Sequence, residues 1–362
     1  MRAHAAPPHG IREAAARGHA GDPGLDLDAV ILALNCGSSS LKYAVFEGER
    51  RTGGGAVTGI GVPGGHATHA DAVHAALAGL PTPSAVGHRL VHGGPELLEP
   101  VRIDAGVLAK LRDAVPFAPL HLPPALGAID AVAARHPRVP QIACFDTSFH
   151  RTLPDVARRF ALPASIEALG VRRYGFHGLS YEWAASELRL RGKAVIAHLG
   201  NGSSMCAVRD GVSVDTTMGL TPAGGFMMGT RTGDLDPGVI VFLLERMSRE
   251  EIARVVDRES GLLGVSGLTS DMKTLLASRD PRARLAVEMF CYQACKAAAA
   301  LAAVLGGLDT LVFTGGIGEH AAEVRERICA GLSHLGRFAV QVIAADEERV
   351  IARHVGAVLS LS

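Results

Sequence analysis

The chain has 362 residues, of which 48% are hydrophobic, so it can bury a large core and is expected to contain two domains. Lysine plus arginine equals aspartate plus glutamate at 36 each, and this balance gives no electrostatic reason to expect a nucleic-acid or membrane partner. On the sequence alone, no apolar run reaches the length that spans a bilayer. The six cysteines form no Cys-x-x-Cys pair and are interpreted as reduced core residues of a cytoplasmic protein.

Two parts of the chain repeat the same order of elements. Residues 1–28 precede them, lack the apolar segment of a signal peptide, and are interpreted as a disordered extension or a misassigned start. An apolar strand is then predicted at 30–34, followed by an Asn-Cys-Gly-Ser turn and a second strand at 43–46. Another apolar strand at 194–197 leads into a similar Gly-Ser turn at 198–204. This recurrence predicts a duplicated domain.

Between and after these copies, apolar runs alternate with segments of helical spacing. The predicted elements, in chain order, are strands within 85–94 and 141–150, helices over 103–115, 125–134, 180–188 and 237–247, a long alanine-rich helix over 283–305, a strand over 310–314 and a closing helix over 346–354. Loops rich in glycine or proline are expected at 118–124, 261–267 and 315–319. Because the strands end in glycine-rich or charged loops, we expect ligands in a cleft between the two halves.

The loops contain the parts of a phosphoryl-transfer site. Turns near Gly37, Gly202 and Gly316 can lay backbone N–H groups against phosphate oxygens. Charged loop residues can supply clamps for the phosphoryl group and an anchor for a metal. These residues are Arg89, Arg231, Asp146 and Glu347.

Each of these features also has an ordinary structural explanation. A Gly-Ser turn is often only a turn, and loop histidines such as His88, His92 and His121 are usually structural. The acids at 346–348 also fit the first turn of a helix, where negative charge favours the helix dipole. The chain has no G-x-x-x-x-G-K-[ST] sequence, so the P-loop fold is excluded.

Seven motifs, taken together and in this order, resemble the acetokinase family. They are Asn35-x-Gly37-Ser38-Ser39-Ser40-x-Lys42, Gly87-His88-Arg89-x-Val91-His92-Gly93-Gly94, Phe145-Asp146-Thr147-x-Phe149-His150, Arg172-Arg173-Tyr174-Gly175-Phe176-His177-Gly178, His198-Leu199-Gly200-Asn201-Gly202, Met227-Met228-Gly229-Thr230-Arg231-x-Gly233-Asp234-x-Asp236-Pro237 and Phe313-Thr314-x-Gly316-Ile317-Gly318-Glu319. The resemblance implies an α/β fold of two duplicated RNase H-like domains, as in actin and sugar kinases, with the active site in the cleft between them. It also implies a homodimer that transfers the γ-phosphoryl group of ATP reversibly to acetate, giving acetyl phosphate and ADP, with Mg²⁺, or Mn²⁺ in its place, as cofactor.

The resemblance assigns roles by position in this sequence. The catalytic residues are Arg89, Asp146, His177 and Arg231. The nucleotide is expected at Asn35, Ser38, Lys42, His198, Leu199, Gly200, Asn201, Gly202, Asp271, Met272, Lys273, Gly316, Ile317 and Gly318. The predicted acetate pocket consists of Arg89, Val91, Leu120, Phe176 and Pro222, and the predicted metal residues are Asn35 and Glu347.

The expected N-terminal domain comprises residues 29–150 plus 349–362, and the C-terminal domain comprises 151–348. Acetate is already ionised at neutral pH, so Asp146 is expected to organise charge rather than to act as an obligatory base. Mg²⁺ keeps several of its waters, which fits an anchor with few protein ligands at Glu347.

The chain departs from the family pattern at several positions. The segment between Gly48 and Gly87 is shorter than usual, and Leu122, Leu179 and His320 replace polar residues at positions expected near the cleft. The loss of a polar side chain there would weaken a phosphate or acetate contact by about 1 kcal/mol.

Two other functions stay open at this point. The first is the same reaction on propionate or butyrate, because a pocket distinguishes substrates by only about 1–3 kcal/mol per methylene. The preference for acetate depends on Val91 filling the space of a longer chain. The second is a non-catalytic, actin-like nucleotide-binding protein, against which the full set of charged residues argues.

Overall fold

The computed structural model describes residues 29–37, 40–62 and 64–360, whose strands form two sheets. The strands of the first sheet, β1 to β6, are Val30–Cys36, Ser40–Glu47, Arg50–Thr58, Ala85–Leu90, Val101–Arg102 and Gln141–Phe145. Those of the second sheet, β7 to β11, are Lys193–Leu199, Ser203–Arg209, Val212–Thr216, Thr310–Thr314 and Ala339–Val342. The predicted extension at 1–28 and the predicted nucleotide contact Ser38 lie outside the described residues.

The two sheets share one topology. The first has the order β3-β2-β1-β4-β6-β5, with β1 to β3 antiparallel and β4 and β6 parallel to β1. The second has the order β9-β8-β7-β10-β11, with β7 to β9 antiparallel and β10 and β11 parallel to β7. Among the described strands, the short edge strand β5 is the addition that distinguishes the first sheet. The predicted duplicated RNase H-like fold is thus confirmed.

Helices cover the faces of both sheets. The α-helices of the described residues, α1 to α14, are His69–Leu77, Ala105–Asp113, Leu122–Arg135, Asp155–Arg158, Ala164–Glu167, Gly178–Glu187, Pro237–Leu244, Arg249–Arg258, Gly261–Ser266, Met272–Ala277, Pro281–Leu305, Gly315–His320, Ala322–Gly331 and Glu347–Ser360. Short 3-10 helices lie at Val115–Phe117, Ser148–His150 and Ser333–Leu335.

Burial on both faces explains why β1 is a continuous apolar run. Leu32 and Leu34 pack into a cluster with α1 and α3, whereas Ile31 and Ala33 pack against α14 on the opposite face. A Cβ atom on Gly87 in β4 would lie 2.4 Å from the Ile351 side chain, so glycine is required for this close approach of α14.

The same arrangement surrounds β7 in the second sheet. Val195, Ala197 and Leu199 pack into a cluster with α11, and Ala194 and Ile196 pack against α6. Each central strand therefore separates two apolar layers, and the cores of the two sheets are built alike.

Helices α6 and α14 contact each other as well as their respective sheets. His354 Nε2 on α14 donates to Glu182 Oε1 on α6 at 2.9 Å, and Trp183 Nε1 donates to the Ala344 carbonyl at 2.9 Å. This helix pair joins the two halves of the molecule. The domain boundaries expected at 150 and 349 stay a prediction.

Helix α11 is long and apolar enough to span a bilayer by length and composition only, and charged residues, among them Glu288 and Lys296, interrupt its apolar sequence. Its buried residues, among them Phe290 and Leu301, pack in the core of the second sheet. The helix ends at Gly306, which has φ 71°, as its Gly-Gly sequence predicts.

Three expected loops are partly or wholly helical. Residues 261–266 form α9, and Leu262 of this helix is buried in the second core. Residues 315–320 form α12, where a Cβ on Gly315 would lie 2.8 Å from the Leu199 carbonyl oxygen of β7. The expected loop at 118–124 becomes α3 from Leu122 onward, since prolines are tolerated in a first helical turn.

All six cysteines are unpaired, and Cys36, Cys144, Cys206 and Cys291 are buried. Cys295 and Cys329 are half-buried. Burial raises the pKa of the Cys206 thiol to about 12, which keeps it protonated at neutral pH. The interpretation of all six cysteines as core residues therefore agrees with the structure for four of them, and Cys295 and Cys329 are only partly buried.

Candidate active site

A cavity of about 560 Å³ lies at the ends of β1, β4, β7 and β10, where the glycine-rich turns of both sheets meet. The predicted site residues that line it are Asn35, Lys42, Arg89, His177, His198, Gly200, Asn201, Gly202, Gly316 and Glu347. The cavity is large enough for the polar part of a small ligand.

Arg89 and Asp146 are neighbours because Arg89 lies in β4 and Asp146 directly follows β6, the adjacent parallel strand. Arg89 donates from Nε to Asp146 Oδ1 at 3.0 Å and from Nη2 to Oδ2 at 2.6 Å. Arg89 Nη1 also donates to Asn35 Oδ1 at 2.9 Å. The Asp146 side chain is fully buried, and its two carboxylate oxygens hold the guanidinium of Arg89 in place.

The charges of this cluster depend on one another. Burial raises the pKa of the Asp146 carboxyl, and the charge of Arg89 and its hydrogen bonds oppose that shift. Burial would also raise the pKa of Glu347, but Arg89, His198 and Asn35 outweigh it, so this pKa lies below its ordinary value. Glu347 is therefore an anion at neutral pH.

The predicted metal residues Asn35 and Glu347 contact each other. Asn35 Nδ2 donates to Glu347 Oε2 at 2.8 Å and to Glu348 Oε1 at 3.0 Å. The Asn35 oxygen accepts from Arg89, so the Asn35 amide is fully engaged. Glu347 retains one carboxylate oxygen, Oε1, that has no hydrogen bond among the described residues. This chemistry fits Mg²⁺ held by Glu347 and water, with Asn35 orienting the carboxylate instead of binding the ion.

His177 directly precedes α6 and has its backbone in the left-handed region, at φ 58°. Non-glycine residues rarely adopt this conformation, and such residues cluster at functional sites. The His177 ring stacks on that of His198, with centroids 4.3 Å apart. Burial, followed by the charges of His198 and Arg89, holds the pKa of His177 well below its ordinary value, so the ring is neutral at pH 7.

Gly202 is the point at which His177 and Arg231 converge. A Cβ atom on Gly202 would lie 3.3 Å from His177 Nε2 and 3.4 Å from Arg231 Nη1. Only a residue without a side chain leaves this space open to a ligand. The loop that carries Arg231 is fixed there, since the Gly229 N–H donates to the Asn201 carbonyl at 2.9 Å.

The head group of Arg231 is oriented by two acceptors. Nη1 donates to the Pro222 carbonyl at 3.1 Å, and Nη2 donates to His121 Nε2 at 3.3 Å. Burial, followed by the charge of Arg231, lowers the pKa of His121 to about 3, which keeps this histidine neutral and able to accept. His121 was interpreted as structural from the sequence, and its contact with Arg231 places it in the site.

The apolar residues predicted for the acyl pocket are not among those that line this cavity. Val91 and Phe176 are buried in the core cluster of the first sheet, Pro222 is buried, and Leu120 is half-buried next to His121 in the chain. The Pro222 carbonyl and His121 both contact Arg231, which connects the pocket to the charged site.

Several predicted nucleotide contacts are not part of the cavity lining. They are Leu199, Asp271, Met272, Lys273, Ile317 and Gly318. The side chains of Leu199 and Met272 are buried in the second core, which leaves the backbone as the part that a nucleotide can reach. Asp271 accepts from the Thr274 N–H at 2.9 Å and caps α10, so its side chain is already engaged.

The expectation that all three departures from the family pattern lie at the cleft was wrong for two of them. Leu122 packs in the first core cluster and Leu179 packs against α14, and both are fully buried. An apolar residue at either position adds core packing and removes no contact from the cavity. His320 does line the cavity, together with Glu319 and Glu348, to which the sequence analysis assigned no role in the site.

The sequence model of the acetokinase family matches residues 65–359. This chain belongs to the acetokinase family. An acetate kinase of Rhodopseudomonas palustris is 45% identical over 388 aligned positions, which cover 90% of this chain and 97% of the relative. As a member of the acetokinase family, the chain is a kinase.

The crystal structures of two kinases resemble the chain over nearly its whole length. Porphyromonas gingivalis acetate kinase has a TM-score of 0.82 and 35% identity, covering 91% of this chain and 100% of that one. A propionate kinase from Francisella tularensis has a TM-score of 0.84 and 34% identity, covering 90% of this chain and 98% of that one. The backbone fold therefore does not distinguish acetate from propionate as substrate.

Proposed function

We propose that this chain is an acetate kinase, which transfers the γ-phosphoryl group of ATP reversibly to acetate and gives acetyl phosphate and ADP. The observation that carries the proposal is the convergence of His177 and Arg231 at Gly202, beside a cavity lined by Arg89. Three donors around one space match the three equatorial oxygens of a phosphoryl group in transfer.

In the proposed reaction, a carboxylate oxygen of acetate forms a bond to the γ-phosphorus while the bond from phosphorus to the β,γ-bridging oxygen breaks. The electron pair of that bond leaves with ADP. No proton is removed from acetate, because a carboxylic acid is ionised at neutral pH. This agrees with the full engagement of Asp146 by Arg89, which leaves no free base at that position.

The glycine-rich turns supply the nucleotide side of the site. Gly200 and Gly202 at the second turn, with Gly316 at the start of α12, line the cavity and bring backbone N–H groups close to a ligand. Lys42 adds a positive charge from the first sheet. ATP is therefore proposed to lie across the second half of the molecule with its terminal phosphate towards Arg89.

Mg²⁺ is proposed as the metal, with Mn²⁺ as the alternative. When bound, the ion would neutralise phosphate charge in the nucleotide. Glu347 and its water ligands would hold it, and Asn35 and Arg89 fix the orientation of the Glu347 carboxylate.

Acetate is preferred to propionate or butyrate because Val91 and Phe176 are packed in the core and leave little room for a longer chain. The similarity to a propionate kinase keeps the longer acids as the second candidate. A non-catalytic nucleotide-binding protein is disfavoured, since binding alone does not require the ion pair and the two arginines.

The direct test incubates the folded protein with ATP, Mg²⁺, acetate and hydroxylamine, which traps an acyl phosphate as a hydroxamate. We expect hydroxamate and ADP to form together, and Arg231→Ala to form neither at a comparable rate. Absence of hydroxamate from folded protein with acetate, propionate and butyrate would refute the enzyme assignment. Hydroxamate from butyrate in preference to acetate would refute only the substrate.

The proposed assembly is a homodimer in the cytoplasm. Helix α7 is apolar throughout, yet none of its residues is buried within the chain, and Val241, Phe242 and Leu244 are 62%, 55% and 55% exposed. An apolar helix face of this kind is typical of an interface. Light scattering should give twice the mass of the chain, and Phe242→Asp should shift the protein towards the monomer.

A further inference from the structure

A buried row of three polar groups connects α6 to the cavity. Tyr181 Oη hydrogen-bonds Ser204 Oγ at 2.5 Å, and Ser204 Oγ hydrogen-bonds His177 Nδ1 at 2.8 Å. Tyr181 and Ser204 are fully buried, and His177 ends the row with Nε2 directed at the space beside Gly202. The row therefore runs from the core to the atom that faces the ligand.

The protons of this row can be assigned by counting. A tyrosine hydroxyl, a serine hydroxyl and a neutral imidazole carry one proton each. If Tyr181 donates to Ser204, then Ser204 donates to Nδ1, and the imidazole proton is on Nε2. Every proton of the row is then used or faces the cavity.

The reverse order leaves a proton without an acceptor. If His177 Nδ1 donates to Ser204, then Ser204 donates to Tyr181, and the Tyr181 proton has no further acceptor among the described residues. A buried hydroxyl proton without an acceptor is unfavourable. In addition, Nε2 would then be a lone pair facing an anionic ligand.

We propose that Tyr181 is a positioning residue, which acts through Ser204 to hold His177 in the tautomer with its proton on Nε2. Resting on the proposed function, this makes His177 a hydrogen-bond donor to the phosphoryl group in transfer. The hydroxyl of Tyr181 sets the direction of both hydrogen bonds, and its ring packs in the core against Ala184 and Ile196.

The neighbouring histidine shows why the tyrosine matters. His198 Nδ1 hydrogen-bonds Ser180 Oγ at 2.8 Å, but no third side chain among the described residues hydrogen-bonds Ser180 Oγ. The direction of that bond is therefore not set in the same way. Of the two stacked histidines, His177 is the one whose tautomer is imposed from the core.

The test is ¹⁵N NMR of the histidine side chains, on protein without substrate. The chain has 16 histidines, so the His177 signals are assigned by their loss in His177→Gln. In the wild type we expect one pyrrole-like and one pyridine-like nitrogen, with the proton on Nε2. In Tyr181→Phe, which removes only the hydroxyl, the two shifts should move towards each other as the tautomers mix.

The kinetic counterpart separates positioning from binding. Complete removal of such a donor costs 10²–10³ in kcat, so a mixed tautomer in Tyr181→Phe should lower kcat by roughly tenfold. The KM values for ATP and the acid should change by less than about twofold, because the charged contacts are intact. Tyr174→Phe is the matched control, as it removes a tyrosine hydroxyl that donates to the Gly170 carbonyl, and it should leave the His177 tautomer unchanged.

Ser204→Ala breaks the same row at its centre and must also mix the tautomers, which keeps the test decisive if Tyr181→Phe folds poorly. A wild-type tautomer in either folded variant, or a wild-type proton on Nδ1, would overturn the proposal. Because the spectra need no substrate, this outcome is independent of which acid the enzyme phosphorylates.

Discussion

Arg89 and Asp146 form a two-point ion pair, in which two guanidinium nitrogens meet the two carboxylate oxygens of a fully buried side chain. The pair joins adjacent strands of the first sheet and fixes the one arginine that also contacts Asn35. The position of the Arg89 guanidinium in the cavity thus depends on Asp146, whose side chain is fully buried.

Asp146→Asn should therefore lose both stability and activity. Removing one partner of a buried pair typically costs about 3–5 kcal/mol, and we expect the free energy of unfolding to fall by that order. Loss of the orientation of Arg89 should lower kcat by roughly 10²-fold. Urea unfolding and the hydroxamate assay measure the two effects.

Asp155→Asn is the matched control, because Asp155 pairs with Arg158 while 61% exposed. Its effect on unfolding should be below about 1 kcal/mol. Equal stability of the Asp146 and Asp155 variants would contradict the role given to the buried pair.

Arg231→Lys should be nearly as inactive as Arg231→Ala, although the charge is kept. A lysine ammonium cannot reach the Pro222 carbonyl, His121 and a ligand with the planar fork of a guanidinium. We expect kcat to fall by about 10²–10³, as for loss of a transition-state donor. Arg209→Lys, at an exposed arginine that donates to the Leu305 carbonyl, is the control, and rates alike in the two variants would argue against the assignment.

Val91→Ala should relax the selection against longer acids. The vacated space accommodates about one methylene, which is worth about 1–3 kcal/mol in a pocket, so the ratio of kcat/KM for propionate to that for acetate should rise by roughly tenfold. Val86→Ala removes the same atoms from the same core cluster, on the same side of the first sheet, and should leave the ratio unchanged. If both variants shift the ratio alike, Val91 does not line the acyl pocket.

Acid should destabilise the fold before it protonates most carboxylates. Burial lowers the pKa of both His88 and His150 to about 4, whereas an unfolded histidine titrates near 6.5. Below pH 6.5 the unfolded chain binds protons that the folded chain does not. The contribution of the neutral, buried histidines to the free energy of unfolding is therefore complete above pH 6.5 and is lost as the pH falls towards 4.

Each such histidine contributes at most about 1.4 kcal/mol per pH unit in that window. Urea unfolding at pH 7, 6 and 5 can be followed by the fluorescence of Trp183, the single tryptophan. The free energy of unfolding should depend less steeply on pH in His88→Asn than in the wild type. A urea midpoint that is the same at pH 7 and pH 5 would contradict the expectation.

The elements predicted best from the sequence are those whose pattern of apolar residues matches the faces that the fold buries. β1 and β7 are apolar because both faces are covered, and α11 has helical spacing with a Gly-Gly end. β3 was missed because nearly all of its residues are exposed and three successive glycines interrupt it. Its pairing with β2 supplies the stabilisation that its composition lacks.

The charged site residues could be placed from their motifs, but their partners could not. Tyr181 precedes Ser204 on a different element, and His121 is far from Arg231 in the chain. Which side chain of a helix meets which strand depends on the packing of α6 on the second sheet. No local pattern encodes that register.

The position of α14 has a consequence for synthesis on the ribosome. Val350, Ile351 and Val355 of this last helix cover one face of the first sheet, which is otherwise complete by Phe145. That face stays open while the whole second sheet is made, so the nascent chain exposes an apolar surface that chaperones recognise. A chain that ends early lacks both this cover and Glu347, and premature termination therefore yields no partially active product.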